Sequence, residues 1–163
     1  MSQIESFRDL KVYQMLKKLH IDISGESLRF PKFEMYEIGS QVRRSSNSAA
    51  AQLAEGWGSR HTNIYLECIN RSMGELRETQ HHLDVTREKD YLTAQVFKEF
   101  DGSCDACGRM LERLYQALNA WRGSKRPGGS VHEERDSYVV LGEDQDWATV
   151  VKITQEVMDD HER

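Results

Sequence analysis

Proline is nearly missing from this chain: Pro31 and Pro127 are the only two in 163 residues. Proline inside a helix removes a backbone donor and clashes with the preceding turn, so its scarcity leaves room for long helices. Nowhere do apolar residues run for the roughly 18 positions a membrane-spanning helix needs. The opening Met1-Ser2-Gln3-Ile4-Glu5 has neither the basic start nor the apolar run of a signal peptide. Three cysteines, an odd number, make no disulfide framework and read as reduced thiols. These absences point to a cytoplasmic protein with no membrane partner. An overall basic field is missing too. The net charge is −5, and it is unevenly placed. Residues 1–122 carry 17 Lys+Arg against 17 Asp+Glu, whereas 123–163 carry 5 against 10. The body is neutral and the last quarter acidic, which departs from the basic surface nucleic-acid binders usually rely on.

What is present is helical periodicity. Val12, Leu16, Leu19 and Ile23 make one narrow stripe, which predicts a first helix from about Asp9 to Leu28. Phe30-Pro31 ends it, since proline disfavours the helical conformation of the residue before it. A second helix is expected from Glu34 to Glu55, striped by Met35, Ile38, Val42, Ala49 and Leu53. Its face is rich in small residues (Ser45, Ser46, Ser48, Ala49, Ala50, Ala51) that let a neighbouring helix come close, and Gly56 and Gly58 supply left-handed positions to stop it. A third helix runs from Thr62, read as its N-cap, to Glu88. Its stripe is Tyr65, Ile69, Met73, Leu76 and Leu83, with Gln80 a polar intruder. On its other side Glu67 and Arg71 stand in the favourable i, i+4 order. Thr93 caps a fourth helix from Ala94 to Trp121, whose seam is Val96, Phe100, Cys107, Leu111, Leu114, Leu118 and Trp121. Gly102 and Gly108 within it suggest close contacts or a bend.

Four long helices joined by short turns predict an all-α protein, an antiparallel up-down-up-down four-helix bundle over 1–122 with a C-terminal appendage. A Gly/Pro-rich linker over 123–137 leads to an acidic tail, 138–163. There Tyr138-Val139-Val140-Leu141 is an apolar run too short to classify. Asp146 precedes an amphipathic helix with Trp147, Val150, Val151, Thr154, Val157 and Met158 on one face. That face must be covered by its own bundle, by a neighbouring subunit, or by an unknown protein partner.

The motifs that could carry catalysis lack their settings. Cys104-x-x-Cys107 lies mid-helix with no strand before it, so it reads as core cysteine. A thiol or metal enzyme built on it is the least favoured alternative. His81 and His82 are adjacent on a helix and point about 100° apart, too far to chelate one metal together. The Glu78-x-x-His81 pair occurs once, where di-metal bundles need it twice. Glu55-Gly56-Trp57-Gly58-Ser59-Arg60 follows no strand and is not a phosphate loop. The expectation is a protein that is not an enzyme and uses no cofactor or metal. Arg43-Arg44 could clamp phosphates or pair with acidic residues within or between subunits; the ion-pair reading is favoured. Arg43, Arg44, Glu55 and Glu78 are thus the candidate oligomer or nucleic-acid contacts.

Several segments together carry a family likeness: Phe7 to Gln14, Phe30-Pro31, Ser40-Gln41-Val42-Arg43-Arg44-Ser45, Ala54-Glu55-Gly56-Trp57-Gly58, Ser72 to Thr79, and Tyr91-Leu92. Over roughly residues 5 to 120 the chain resembles the four helix bundle proteins encoded in intervening sequences of bacterial 23S ribosomal RNA genes, a family that includes the accessory variability protein of diversity-generating retroelements. The resemblance implies a homopentamer without catalytic activity. It also implies an association with nucleic acid or a ribonucleoprotein, which the neutral body does not favour. An adaptor that binds a partner through its tail is the other alternative.

Overall fold

A computed structural model describes residues 4–124 and 145–160, and these contain helices and no strand. A short 3-10 turn, Phe7–Asp9, opens the chain, capped by Ser6 in a capping box with Asp9. The helices are α1 (Lys11–Ser27), α2 (Lys32–Tyr36), α3 (Ile38–Gly56), α4 (Thr62–Glu88), α5 (Ala94–Ser124) and α6 (Gln145–Asp159). Helix α3 packs on α1 and α4, α4 on α5, and α5 back on α1, so the contacts of the four longest helices close a cycle. The predicted stripes face inward: Val12, Leu16, Leu19 and Ile23 of α1 and Leu111, Leu114 and Leu118 of α5 are all buried.

The expected second helix is in fact two. Glu37, at φ −92° and ψ −98°, leaves the helical region and separates α2 from α3. A continuous helix would give the Met35 carbonyl a backbone donor from Gly39. Here the Arg43 guanidinium takes that place, donating to Met35 O at 3.0 Å and to Ser27 Oγ at 2.8 Å. One side chain therefore ties the end of α1 and the end of α2 to α3. A Cβ on Gly39 would stand 3.2 Å from Glu34 O and 3.1 Å from Arg43 Nη1, so the missing side chain leaves room for the bend.

Helices α3 and α4 meet through small residues. Ser45, Ser46, Ala49 and Ala50 are buried, as are Cys68, Ser72 and Thr79 opposite them. The Ser72 hydroxyl donates to Ala49 O at 2.6 Å, and Thr79 Oγ1 lies 2.9 Å from Ser45 Oγ. At the end of this seam a Cβ on Gly56 would fall 2.5 Å from Cys68 Cβ. Gly56 is needed for that approach and has no positive φ; the left-handed stop is Gly58 alone, at φ +78°. Thr62 is the first residue of α4, and His61 is its N-cap without a side-chain cap bond. Thr93, by contrast, caps α5 by accepting from Val96 N at 3.2 Å.

Gln80, the polar intruder, bridges α4 to α5: its amide donates to Asp101 Oδ1 at 2.8 Å and to Asp105 Oδ1 at 3.0 Å. Gly108 gives a modest approach, its absent Cβ 3.8 Å from Leu76, while Gly102 has nothing within 4 Å and makes no close contact. Helix α5 continues past Trp121 to Ser124. The rest of the linker and the Tyr138 to Leu141 run lie outside the described residues, as does the side chain of Asp146. Helix α6 covers its apolar face on its own chain. Val150, Thr154 and Met158 are buried, and Trp147 meets Trp57 edge-on at 4.9 Å. Ile4 N donates to Gln155 Oε1 at 3.1 Å, tying the start of the chain to α6. Among the described residues no helix is long and apolar enough to cross a membrane.

Candidate functional site

The four residues singled out from the sequence do not form one site. Arg44 crosses from α3 to α4 and pairs with Glu78, which also stands 3.4 Å from His82 Nε2. Arg43 turns the other way, to Ser27 and Met35. Glu55 is exposed near the end of α3. The ion-pair reading of Arg44 is met within the chain; Arg43 acts through hydroxyl and carbonyl acceptors instead. Glu67 and Arg71 pair as expected, at 3.0 Å on the exposed side of α4, where solvent screens such a bridge.

Around the arginine pair lies an open polar shelf of about 570 Å³, lined by His20, Ser40, Arg43, Arg44, Asn47 and Ser48 among others. His20 Nδ1 sits 2.9 Å from Ser46 Oγ, and burial lowers its pKa, which favours the neutral ring. With both guanidinia already engaged, the shelf is a hydrogen-bonding surface more than a charged one.

The cysteines are packing residues in chemical terms. Cys68, Cys104 and Cys107 are free and buried. Burial pushes the Cys107 thiol up to about 11 and the Cys104 thiol higher still, with Cys107 and nearby aspartates adding to the latter. Nucleophilic or metal-binding thiols need the thiolate, which such surroundings disfavour. Among the described residues no three His, Cys, Asp or Glu side chains converge to hold a metal.

Sequence reasoning missed an ion pair between buried Glu34 and exposed Lys89, where α2 meets the end of α4. Glu34 of α2 is only 8% exposed and accepts from Lys89 Nζ at 2.5 Å and Tyr91 OH at 3.1 Å. The Lys89 hydrogen bond, followed by that of Tyr91, holds the Glu34 carboxyl below its ordinary pKa despite burial. Asp90 takes a positive φ of 58° at this turn. No spacing rule links position 34 to position 89.

Large apolar side chains are exposed on α2 and along α1. Ile21, Leu28, Phe33 and Tyr36 are 59%, 64%, 71% and 67% exposed. Phe33 and Tyr36 stand three apart on the short α2, and Ile21 and Leu28 seven apart on α1, so each pair shares a face. On another side, α4 and α5 enclose a groove of about 570 Å³ floored by Met73, Leu76, Cys104 and Gly108 and edged by Arg77, Arg109 and Arg113.

Compared with known families, residues 8–113 match the family described as 23S rRNA-intervening sequence protein, and the chain belongs to it. A search among curated proteins gave no match. Helix α6 and the acidic segment before it fall beyond the matched residues.

Proposed function

From its place in that family we propose that the protein is a non-catalytic helical scaffold that self-associates, with α1, α3, α4 and α5 as an antiparallel up-down-up-down bundle. The observation that carries the reading is the exposed apolar corner. Scattered apolar residues on a surface are ordinary, but two large aromatic ones, Phe33 and Tyr36, exposed three apart on one short helix, mark a contact surface. The family likeness supplies the number of copies, a homopentamer in the cytoplasm. Sedimentation velocity on the full chain at micromolar concentration tests it: a species of about five chains is expected, and a monomer across the concentration range would overturn it.

Association with nucleic acid or a ribonucleoprotein is the second reading, favoured by the family description and by Arg77, Arg109 and Arg113 lying side by side on α4 and α5. Arg43 and Arg44 contribute less to it, since Ser27, Met35 and Glu78 already use their donors. A gel-shift titration with RNA and DNA at about 50 mM salt, where electrostatic binding is strong, should retard the probe. An unshifted probe would remove this reading and leave the scaffold untouched. The adaptor alternative has lost its free apolar face, because α6 spends it on Trp57 and the surrounding core.

A further inference from the structure

The exposed aromatic pair and the arginine-edged groove are complementary, and one chain cannot join them. Glu34 anchors α2 to Lys89, at the end of α4. The groove is centred on Leu76, thirteen residues back along that helix, or about 20 Å at 1.5 Å per residue. Phe33 and Tyr36 therefore cannot reach their own groove while α2 stays where Glu34 holds it.

Chemistry and charge match the two surfaces. Phe33 and Tyr36 present aromatic faces; the exposed Lys32 precedes them and the exposed carboxylate of Glu37 follows, and it is Glu37 that offers the arginines an opposite charge. Guanidinium groups bind aromatic faces through the ring quadrupole and carboxylates through paired hydrogen bonds. Arg77, Arg109 and Arg113 have no hydrogen bond or ion pair with another described residue. Of the acidic groups beside them, Asp105 accepts from Gln80 and Glu112 from Gln116 at 2.7 Å, and neither pairs with these arginines. Beneath the arginines the floor of Met73, Leu76 and Gly108 is apolar and lacks a side chain at its middle.

Resting on the self-association reading, we propose that the α2 corner of one copy, through Phe33, Tyr36 and Glu37, docks in the α4–α5 groove of the next. The contact joins two different patches, so it is head-to-tail; repeated with the right rotation it closes into a ring, and no two-fold axis is needed. Truncating Phe33, Tyr36 or the groove arginines should weaken assembly without disturbing the fold, because these side chains lie outside the core.

Two variants with one added cysteine test it, Lys32→Cys beside the docking pair in one preparation and Glu112→Cys at the groove rim in another, so that Phe33, Tyr36 and the arginines stay in place; the three native thiols are buried and serve as the wild-type background. Treated with a short bis-maleimide linker, an equimolar mixture should give a two-chain band at least tenfold above either variant alone. Arg109→Glu in the otherwise native chain should raise the concentration needed for assembly at least tenfold in sedimentation velocity, with unchanged helical circular dichroism. Lys32→Cys linking to itself as well as it does in the mixture would overturn the proposal, as would Arg109→Glu sedimenting like an oligomeric wild type. A monomeric wild type would be a different failure, ending the self-association reading itself.

Discussion

The α3–α4 seam and the α2 corner invert the usual distribution of side chains. In the seam the buried residues are small and often polar: Ser45, Ser46, Ala49, Ser72 and Thr79. At the corner the exposed ones are large and apolar, Phe33 and Tyr36 above all. Hydrophobic area alone would have placed them the other way round. The seam gains from closeness: serine and threonine hydroxyls find carbonyl or hydroxyl partners, and backbone replaces side chain at Gly56. The corner gains nothing from its aromatic rings within the chain. Its internal anchors are polar, Glu34 with Lys89 and Tyr91, and Arg43 with the Met35 carbonyl. Stability of the single chain is thus vested in the seam, and the corner is available for contact with another molecule.

The largest test of this contrast is Gly56→Ala. Its Cβ would stand 2.5 Å from Cys68 Cβ, an atom fixed to the backbone, so the helices must move apart. Overpacking of this kind costs about 1–3 kcal/mol, read as a lower urea midpoint. Gly102→Ala is the matched control, with nothing within 4 Å, and should instead stabilise by about 0.5–1 kcal/mol through helix propensity. If both glycines behave alike, the seam is not the tight contact described. Next in size is Ser72→Ala, which removes the hydroxyl donor to Ala49 O; a loss of about 1 kcal/mol is expected in the same assay.

How much of this was legible in the sequence follows from the range of the forces involved. Helix periodicity is local, so the inward stripes of α1, α4 and α5 could be read from spacing, as could the closeness implied by the Ser45 to Ala51 run. The break at Glu37 could not, because it depends on Arg43 supplying a donor to Met35 from eight residues away in another element. Position 56 was read as a stop signal when its real constraint is a neighbour twelve residues on, Cys68, across a turn. Of the candidate contacts, Arg44 and Glu78 meet across 34 positions, and Arg43 and Glu55 go elsewhere. The exposure of Phe33 and Tyr36 was also hidden, since apolar residues around a proline look the same whether they cap a core or face outward.

Glu34→Gln probes the polar anchor of the corner and should act through pH. Lys89 is the main reason the folded pKa of Glu34 is lowered, so the unfolded chain binds the proton more readily. The stabilisation from Glu34 is then fully present above its ordinary value of about 4.3. It fades as pH falls through the lower folded value. Wild type should be the more heat-stable chain at neutral pH, and the gap in melting temperature should close on acidification. A gap that stays constant into that acidic range would mean the carboxylate charge is not what anchors α2.

Phe33→Ser should change single-chain stability least of all, and that small effect is the sharpest test of the contrast. With 71% of the residue exposed, little apolar area leaves water on folding. Surface substitutions away from caps, cores and strained backbone stay within about 0.5 kcal/mol. Serine and phenylalanine have similar helix propensities, and α2 has only five residues, held mainly by Glu34 and the Arg43 bond to Met35. Urea unfolding at the lowest practical concentration, where mass action contributes least, should give a midpoint close to wild type. At high concentration the wild type should pull ahead, because assembly stabilises only the form that carries the aromatic ring. A loss above 1 kcal/mol at low concentration would instead place Phe33 in the core of its own chain, and the division between seam and corner would fail.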